Sequence, residues 1–102
     1  MTTINKFDRI KAAIRPMIPS LIPAVLPQGC RRGPYWVALN PTRADRTPGS
    51  FKINLSNGHW ADYATGDSGG DIISLAAYLY GMRQSEAADY IASLAGVAVN
   101  DN

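Results

Sequence analysis

Arginine and lysine side chains lie close to tyrosines through the middle of this sequence, and the combination could bind single-stranded nucleic acid. Proteins that do so place a cation where it neutralises a phosphate and an exposed ring where a base can stack. The candidate binding residues are Arg31, Arg32, Tyr35, Arg43, Arg46, Lys52 and Tyr63. The alternative is that the aromatic residues form the core and the arginines pack their aliphatic stems around them. We expect this of Trp36 and Trp60.

A predicted β-hairpin brings several of these residues to one face. Residues 51–55 alternate apolar and polar side chains, and Asn57-Gly58 favours a two-residue turn because both central positions of a type I′ turn need positive φ. The return strand then covers residues 59–64 and pairs Leu55 with Trp60 and Lys52 with Tyr63. Because paired residues share a face, Lys52 and Tyr63 should lie with Asn54 on the side opposite the core.

One residue of this hairpin conflicts with its predicted position. The same register places Asp62 opposite Ile53, on the apolar face. A buried carboxylate needs a cationic or amide partner, because its desolvation is otherwise unfavourable. Arg43 and the backbone amides of residues 65–70 are the predicted partners.

The remaining segments predict a small α+β domain. Phe7, Ile10 and Ile14 recur at helical spacing, and a short helix should follow from Ile18 to Val25. The stretches 28–34 and 65–70 look like turns, residues 35–39 have strand composition, and 40–49 form a polar loop. Asp71 should cap a helix that Gly81 ends, and a last helix should end at Gly96. The prediction is a three-stranded antiparallel sheet with an N-terminal helix and two C-terminal helices.

Composition excludes several classes of protein. The chain has 102 residues and a net charge of +2, with one cysteine and one histidine. These counts exclude a disulfide framework, a Cys/His zinc site and a papain-type thiol enzyme, and they leave only carboxylate metal sites open, so we expect no metal and no cofactor. No segment resembles a signal peptide or a run of about 18 apolar residues that could span a membrane, and we expect a cytoplasmic protein without a membrane partner.

The net charge is unevenly distributed along the chain. Every basic residue except Arg83 precedes Asp62, whereas every acidic residue except Asp8 and Asp45 lies from Asp62 onward. A domain with one surface for an anionic ligand shows this polarity, and so does a domain with ordinary solvated charges.

The sequence Gly66-Asp67-Ser68-Gly69-Gly70 matches the segment around the catalytic serine of trypsin-like proteases. That mechanism needs a histidine base and a buried carboxylate on a large double barrel, and this chain is too short for such a fold. A phosphate cradle is also disfavoured, because Asp67 and Asp71 would repel the anion. We therefore interpret the segment as a turn.

From Trp36 to Leu94 the chain resembles the N-terminal zinc-ribbon domain of bacterial and phage DNA primases and primase-helicases. The family pattern is Cys-Pro-x-His, Thr-Pro-Ser-Phe, an aromatic residue before Cys-x-x-Cys, and Gly-Gly-Asp opening a helix. The matching segments here are Asn40-Pro41-Thr42-Arg43, Arg46-Thr47-Pro48-Gly49-Ser50-Phe51, Trp60-Ala61-Asp62-Tyr63 and Gly66-Asp67-Ser68-Gly69-Gly70-Asp71-Ile72.

All four ligand positions of that pattern are occupied by residues that do not hold zinc, namely Asn40, Arg43, Tyr63 and Gly66. The resemblance therefore implies a metal-free form of the domain, with residues 1–27 as an added helical segment and 28–102 as the ribbon-like part of one compact domain. We expect the added helices and a polar cluster of Arg43, Asp62 and Tyr63 to replace the stabilisation that zinc supplies.

In primases this domain engages single-stranded template, while the polymerising site lies in a separate domain. The resemblance thus implies a non-catalytic module that binds single-stranded DNA in the replication of a phage or mobile element. The alternative is a module that docks a replication protein (a primase, helicase or polymerase) without touching DNA. The acidic C-terminal half, with Tyr78, Tyr80 and Tyr90, would then be the docking surface.

Overall fold

The computed structural model describes residues 5–46 and 49–98. These ranges contain four α-helices and five strands, which confirms the α+β class. The helices are α1 (Lys6–Ile14), α2 (Ile18–Val25), α3 (Ile72–Tyr80) and α4 (Gln84–Ala95), with a 3₁₀ turn at Arg15–Met17. The strands are β1 (Gly29–Arg32), β2 (Tyr35–Ala38), β3 (Phe51–Asn54), β4 (Trp60–Asp62) and β5 (Asp67–Gly69). Thr47 and Pro48, part of the primase-like pattern, lie outside the described residues.

The prediction of a three-stranded, ribbon-like sheet is wrong. The strands form one five-stranded antiparallel sheet in the order β1-β2-β3-β4-β5, so each strand pairs with its neighbour in sequence. The three predicted strands are the central ones, and the segments interpreted as turns supply the two edges. Arg31 and Arg32 therefore belong to a strand that pairs with Trp36 and Tyr35.

The edge strands contain glycines for a reason that only the packing shows. A Cβ atom added to Gly29 would lie 2.5 Å from Trp36 Nε1, and one added to Gly69 would lie 2.4 Å from Trp60 Nε1. Each indole thus packs against a strand that has no side chain at that point. In a sequence pattern glycine indicates a turn. In β1 and β5 its missing side chain instead leaves space for the indole of the neighbouring strand.

The hairpin between β3 and β4 differs from the prediction in its loop. Ile53, not Leu55, lies opposite Trp60, and Lys52 lies opposite Ala61. Four residues separate Asn54 from His59, and the amide of Asn54 donates to the carbonyl of His59 at 2.7 Å. The register is shifted by two residues, and an even shift leaves every side chain on its predicted face.

All four helices contribute to a core on one side of the sheet. Asn5 caps α1, Asp71 caps α3, and Gly81 and Gly96 end α3 and α4 in the left-handed conformation. The predictions of the helix at 18–25, the Asp71 cap and both glycine ends are confirmed. The largest fully buried apolar side chains are Ile10, Ile14, Ile22, Phe51, Ile53, Ile72, Ile73, Leu75 and Ile91.

The two tryptophans lie on the core side, as predicted. Trp60 is buried, and its Nε1 donates to Ser74 Oγ at 3.0 Å. Trp36 is half-buried against the core, and its Nε1 donates to the carbonyl of Leu26 at 2.8 Å. The indoles therefore tie α2 and α3 to one face of the sheet, and the opposite face carries no member of the core cluster.

Candidate nucleic-acid interface

The face of the sheet opposite the helices carries the candidate binding residues that the structure brings together. We call it the open face and define it by Arg32, Tyr35, Lys52, Asn54 and Tyr63. Strand alternation and the antiparallel registers place these side chains on one side, because Arg32 lies opposite Tyr35 and Tyr35 lies opposite Asn54. The prediction that Lys52, Asn54 and Tyr63 share a face is confirmed.

Lys52 lies between two tyrosine rings on the open face. Its Nζ is 5.8 Å from the ring centroid of Tyr35 and 6.0 Å from that of Tyr63. These distances are at the outer limit of a cation–π contact, so the rings hold the ammonium loosely. Within the ranges 5–46 and 49–98, no carboxylate forms an ion pair with Lys52. The ammonium is therefore available to an external anion.

Both rings keep surface that a ligand can reach. Tyr63 is 72% exposed and Tyr35 is 38% exposed, although both side chains are large and partly apolar. Burying an aromatic ring is strongly favourable, so exposed rings on either side of a cation suggest a surface that receives another flat group. A groove of about 320 Å³ lies between them, lined also by Lys52, Asn54 and Ala61.

Arg31 and Arg46 are not grouped with Lys52. Arg31 lies on the opposite face of β1, and its Nε donates to the carbonyl of Gly33 at 3.2 Å. Arg46 is exposed in the loop between β2 and β3. Of the predicted arginines, only Arg32 lies on the open face, on edge strand β1.

Arg43 belongs to a polar cluster on the core side of the sheet, in which Asn40 and Asp62 are buried and the Arg43 side chain is 27% exposed. Its Nε donates to Asp62 Oδ2 at 2.8 Å and its Nη2 donates to Asp62 Oδ1 at 3.2 Å. The guanidinium also lies 3.3 Å from Asp45 and donates to Ser50 Oγ at 3.0 Å. The predicted Arg43–Asp62 pair is thus confirmed. Asp62, Asp45 and Ser50 therefore occupy the Arg43 guanidinium, and the hydrogen bond to Asp62 raises its pKa.

Asp62 has every acceptor position satisfied although it is fully buried. Besides Arg43, it accepts hydrogen bonds from Asn40 Nδ2 at 2.8 Å and from the Ala64 amide at 2.9 Å. The pKa of its carboxyl is well below the usual range, because the Arg43 hydrogen bond outweighs the opposing effect of burial, and Asn40 and the Ala64 amide add to it. Asp62 is therefore held as a carboxylate.

The prediction that Tyr63 is the third member of this cluster is wrong, because its ring lies on the open face. The phenol that joins the cluster is Tyr78 of α3, which accepts a hydrogen bond from Asn40 Nδ2 at 2.8 Å and donates to Asp67 Oδ2 at 2.8 Å. Sequence reasoning did not identify Asn40 or Tyr78 as members of this cluster. Nothing in the sequence around Tyr78 indicates this role, since its hydrogen-bond partners lie in other segments of the chain. Asn40 could have been noticed as an amide directly after an apolar strand.

No protein-family model and no curated protein matches this sequence. Within the described ranges, no three His, Cys, Asp or Glu side chains come together as a metal ion would require. No helix in those ranges is long and apolar enough to cross a membrane.

Proposed function

We propose that this domain binds single-stranded DNA on the open face, as a non-catalytic module. The observation that carries the proposal is the position of the Lys52 ammonium between the exposed rings of Tyr35 and Tyr63, without an ion pair among the described residues. One phosphate on Lys52 and one base on each ring would occupy all three groups. The bound unit would then be a base, its phosphate and the next base.

The charge of the open face supports an anionic ligand. Lys52 and Arg32 are its charged groups among the described residues, whereas Asp62 and Asp67 lie on the opposite face of their strands. A stacked base needs only a ring face, so such a site tolerates different sequences. Phosphate neutralisation supplies most of the affinity of such a site and makes it depend on salt.

The resemblance to primase template-binding domains supports the same proposal, and it suggests DNA replication in a phage or mobile element as the setting. The alternative, docking of a replication protein on the acidic half, has less support from the geometry. Tyr78 is engaged in the polar cluster, and Tyr80 and Tyr90 contact each other at a centroid distance of 5.3 Å.

The test is fluorescence anisotropy with a labelled oligothymidylate of about ten nucleotides, a length that a small single-strand-binding domain covers. Tyr63→Ala should weaken binding about 5- to 150-fold, the effect of losing one stacked base. Tyr63→Phe, which keeps the ring, should bind like the wild type. Tyr63 is exposed, so neither change should alter the melting temperature.

A salt series tests the phosphate contact separately. Lys52→Ala should reduce the slope of log affinity against log salt by about 0.7, the value for one phosphate on a single strand. Arg83→Ala is the matched control, because it removes the same charge from an 85% exposed side chain just before α4. Absence of binding at low salt, or equal binding by Tyr63→Ala and wild type, would refute the proposal.

A further inference from the structure

A second cavity lies where the N-terminal helices meet the β3–β4 hairpin. Its volume is about 390 Å³, and its polar lining comes from the end of α1, the 3₁₀ turn, the hairpin loop and the residues before α3. The lining includes the basic side chains Lys11 and Arg15 together with His59. We call it the Arg15 cleft.

The charge balance of the Arg15 cleft is positive. Lys11 Nζ lies 2.9 Å from Asp71 Oδ2, and this pair largely neutralises itself. Asp71 also accepts the Ser74 amide at 2.8 Å as the cap of α3, so each of its carboxylate oxygens has a partner. Arg15 is exposed and forms no ion pair with a carboxylate of the described residues. Its guanidinium is therefore the charge that an anion entering the cleft would meet.

The Arg15 cleft adjoins the groove on the open face. His59 lines both cavities, and the consecutive residues Gly69 and Gly70 line the groove and the cleft respectively. A flexible chain that lies across Tyr35 and Tyr63 therefore reaches the cleft by passing His59 at the end of the hairpin.

We propose that the Arg15 cleft binds a further phosphate of the same DNA strand that the open face binds. The proposal rests on the proposed function and extends it. The bound strand crosses the open face, passes His59 and places a phosphate beside Arg15. The binding site is then longer than the base–phosphate–base unit at Lys52, and the N-terminal helical segment takes part in it.

The test compares Arg15→Ala with Arg83→Ala in the salt series with the oligothymidylate of about ten nucleotides. Arg15→Ala should reduce the salt slope by about 0.7 and Arg83→Ala should leave it unchanged. Arg15→Lys should keep the slope, because it keeps the charge. Arg15 is exposed, so melting temperatures should stay at the wild-type value and show that each variant is folded.

Oligonucleotide length gives a second readout. In an NMR titration, a thymidylate just long enough to contact Lys52 and both rings should bind Arg15→Ala and the wild type equally. Lys52→Ala should weaken the binding of this short oligonucleotide. If wild type binds DNA and Arg15→Ala has the wild-type salt slope, the cleft proposal is wrong and the proposed function stands. If wild type binds no DNA, both fail together.

Discussion

Replacing Asp62 by alanine should destabilise the domain more than any other loss of a single carboxylate in the described residues. The substitution leaves the Arg43 guanidinium with only Asp45 as a charged partner, and it removes the acceptor of the Ala64 amide. Asn40 Nδ2 loses one of its two acceptors and keeps Tyr78. The Arg43 side chain is 27% exposed and keeps Asp45, so the cost is that of the lost charge-assisted hydrogen bonds, about 1.5–3 kcal/mol.

That cost is large for a domain of this size. The whole free energy of unfolding is typically about 5–15 kcal/mol. Each kcal/mol lowers the melting temperature of a domain of up to about 100 residues by about 4–8 °C. Asp62→Ala should therefore lower the midpoint by at least about 6 °C.

The assay is thermal and urea unfolding followed by tryptophan fluorescence. Trp60 is a suitable reporter, because its ring centroid lies 4.5 Å from that of Tyr78, which belongs to the cluster. Asp89→Ala is the control: it breaks the ion pair with Lys6, and Asp89 is 53% exposed, so the expected loss is at most about 1 kcal/mol.

A second variant separates the charge of Asp62 from its packing. Asp62→Asn keeps the shape of the side chain and an acceptor for the Ala64 amide, but it removes the charge that Arg43 binds. Asp62→Asn should therefore be less destabilised than Asp62→Ala. A midpoint for Asp62→Ala within about 2 °C of wild type would refute the reasoning, since it would mean a loss of under about 1 kcal/mol.

Two further predictions concern pH and the edge strands. The folded pKa of Asp62 is lowered from 3.8, so the native state binds fewer protons than the unfolded state at acid pH; this stabilisation is complete above the unfolded value and is lost as pH falls through the folded one. The urea midpoint should therefore decrease below about pH 4–5, and less steeply in Asp62→Asn; equal slopes would contradict this. Gly69→Ala should destabilise the domain by about 1–3 kcal/mol, because the added Cβ would overlap Trp60 and Ser74 Oγ at 2.4 and 2.5 Å. Gly70→Ala, which meets nothing within 4 Å, should be close to neutral in the same unfolding assay, and equal losses at both positions would exclude the packing explanation.

Local pattern was sufficient for the elements whose signal lies in their own residues. The alternation of 51–55 identifies β3, and the helical spacing and glycine ends identify the helices. The edge strands β1 and β5 have no such signal, because neither alternates apolar and polar side chains and both contain glycine, which is typical of turns. Their strand conformation depends on pairing with β2 and β4 and on the space that Gly29 and Gly69 leave for the tryptophans.

The candidate site likewise combines features that the sequence predicts with features that only the fold shows. Strand alternation alone places Lys52, Asn54 and Tyr63 on one face, and this holds although the loop is longer than predicted, since the register shift is even. The separation of the arginines could not be predicted. Arg43 and Arg32 are both basic residues near a strand, yet only the folded chain shows that a buried carboxylate holds one and that the other remains on the open face.

The sequence by itself determined the α+β class, the central hairpin, the open face of Lys52 and Tyr63, and the need of Asp62 for a partner, because each follows from side-chain period or from the cost of burying a charge. The tertiary structure alone decided the five-stranded sheet, the cluster of Asn40 and Tyr78 around Asp62, and the meeting of the Arg15 cleft with the open face. These features join residues that are distant in sequence, and only the packing of the helices on the sheet sets their distances.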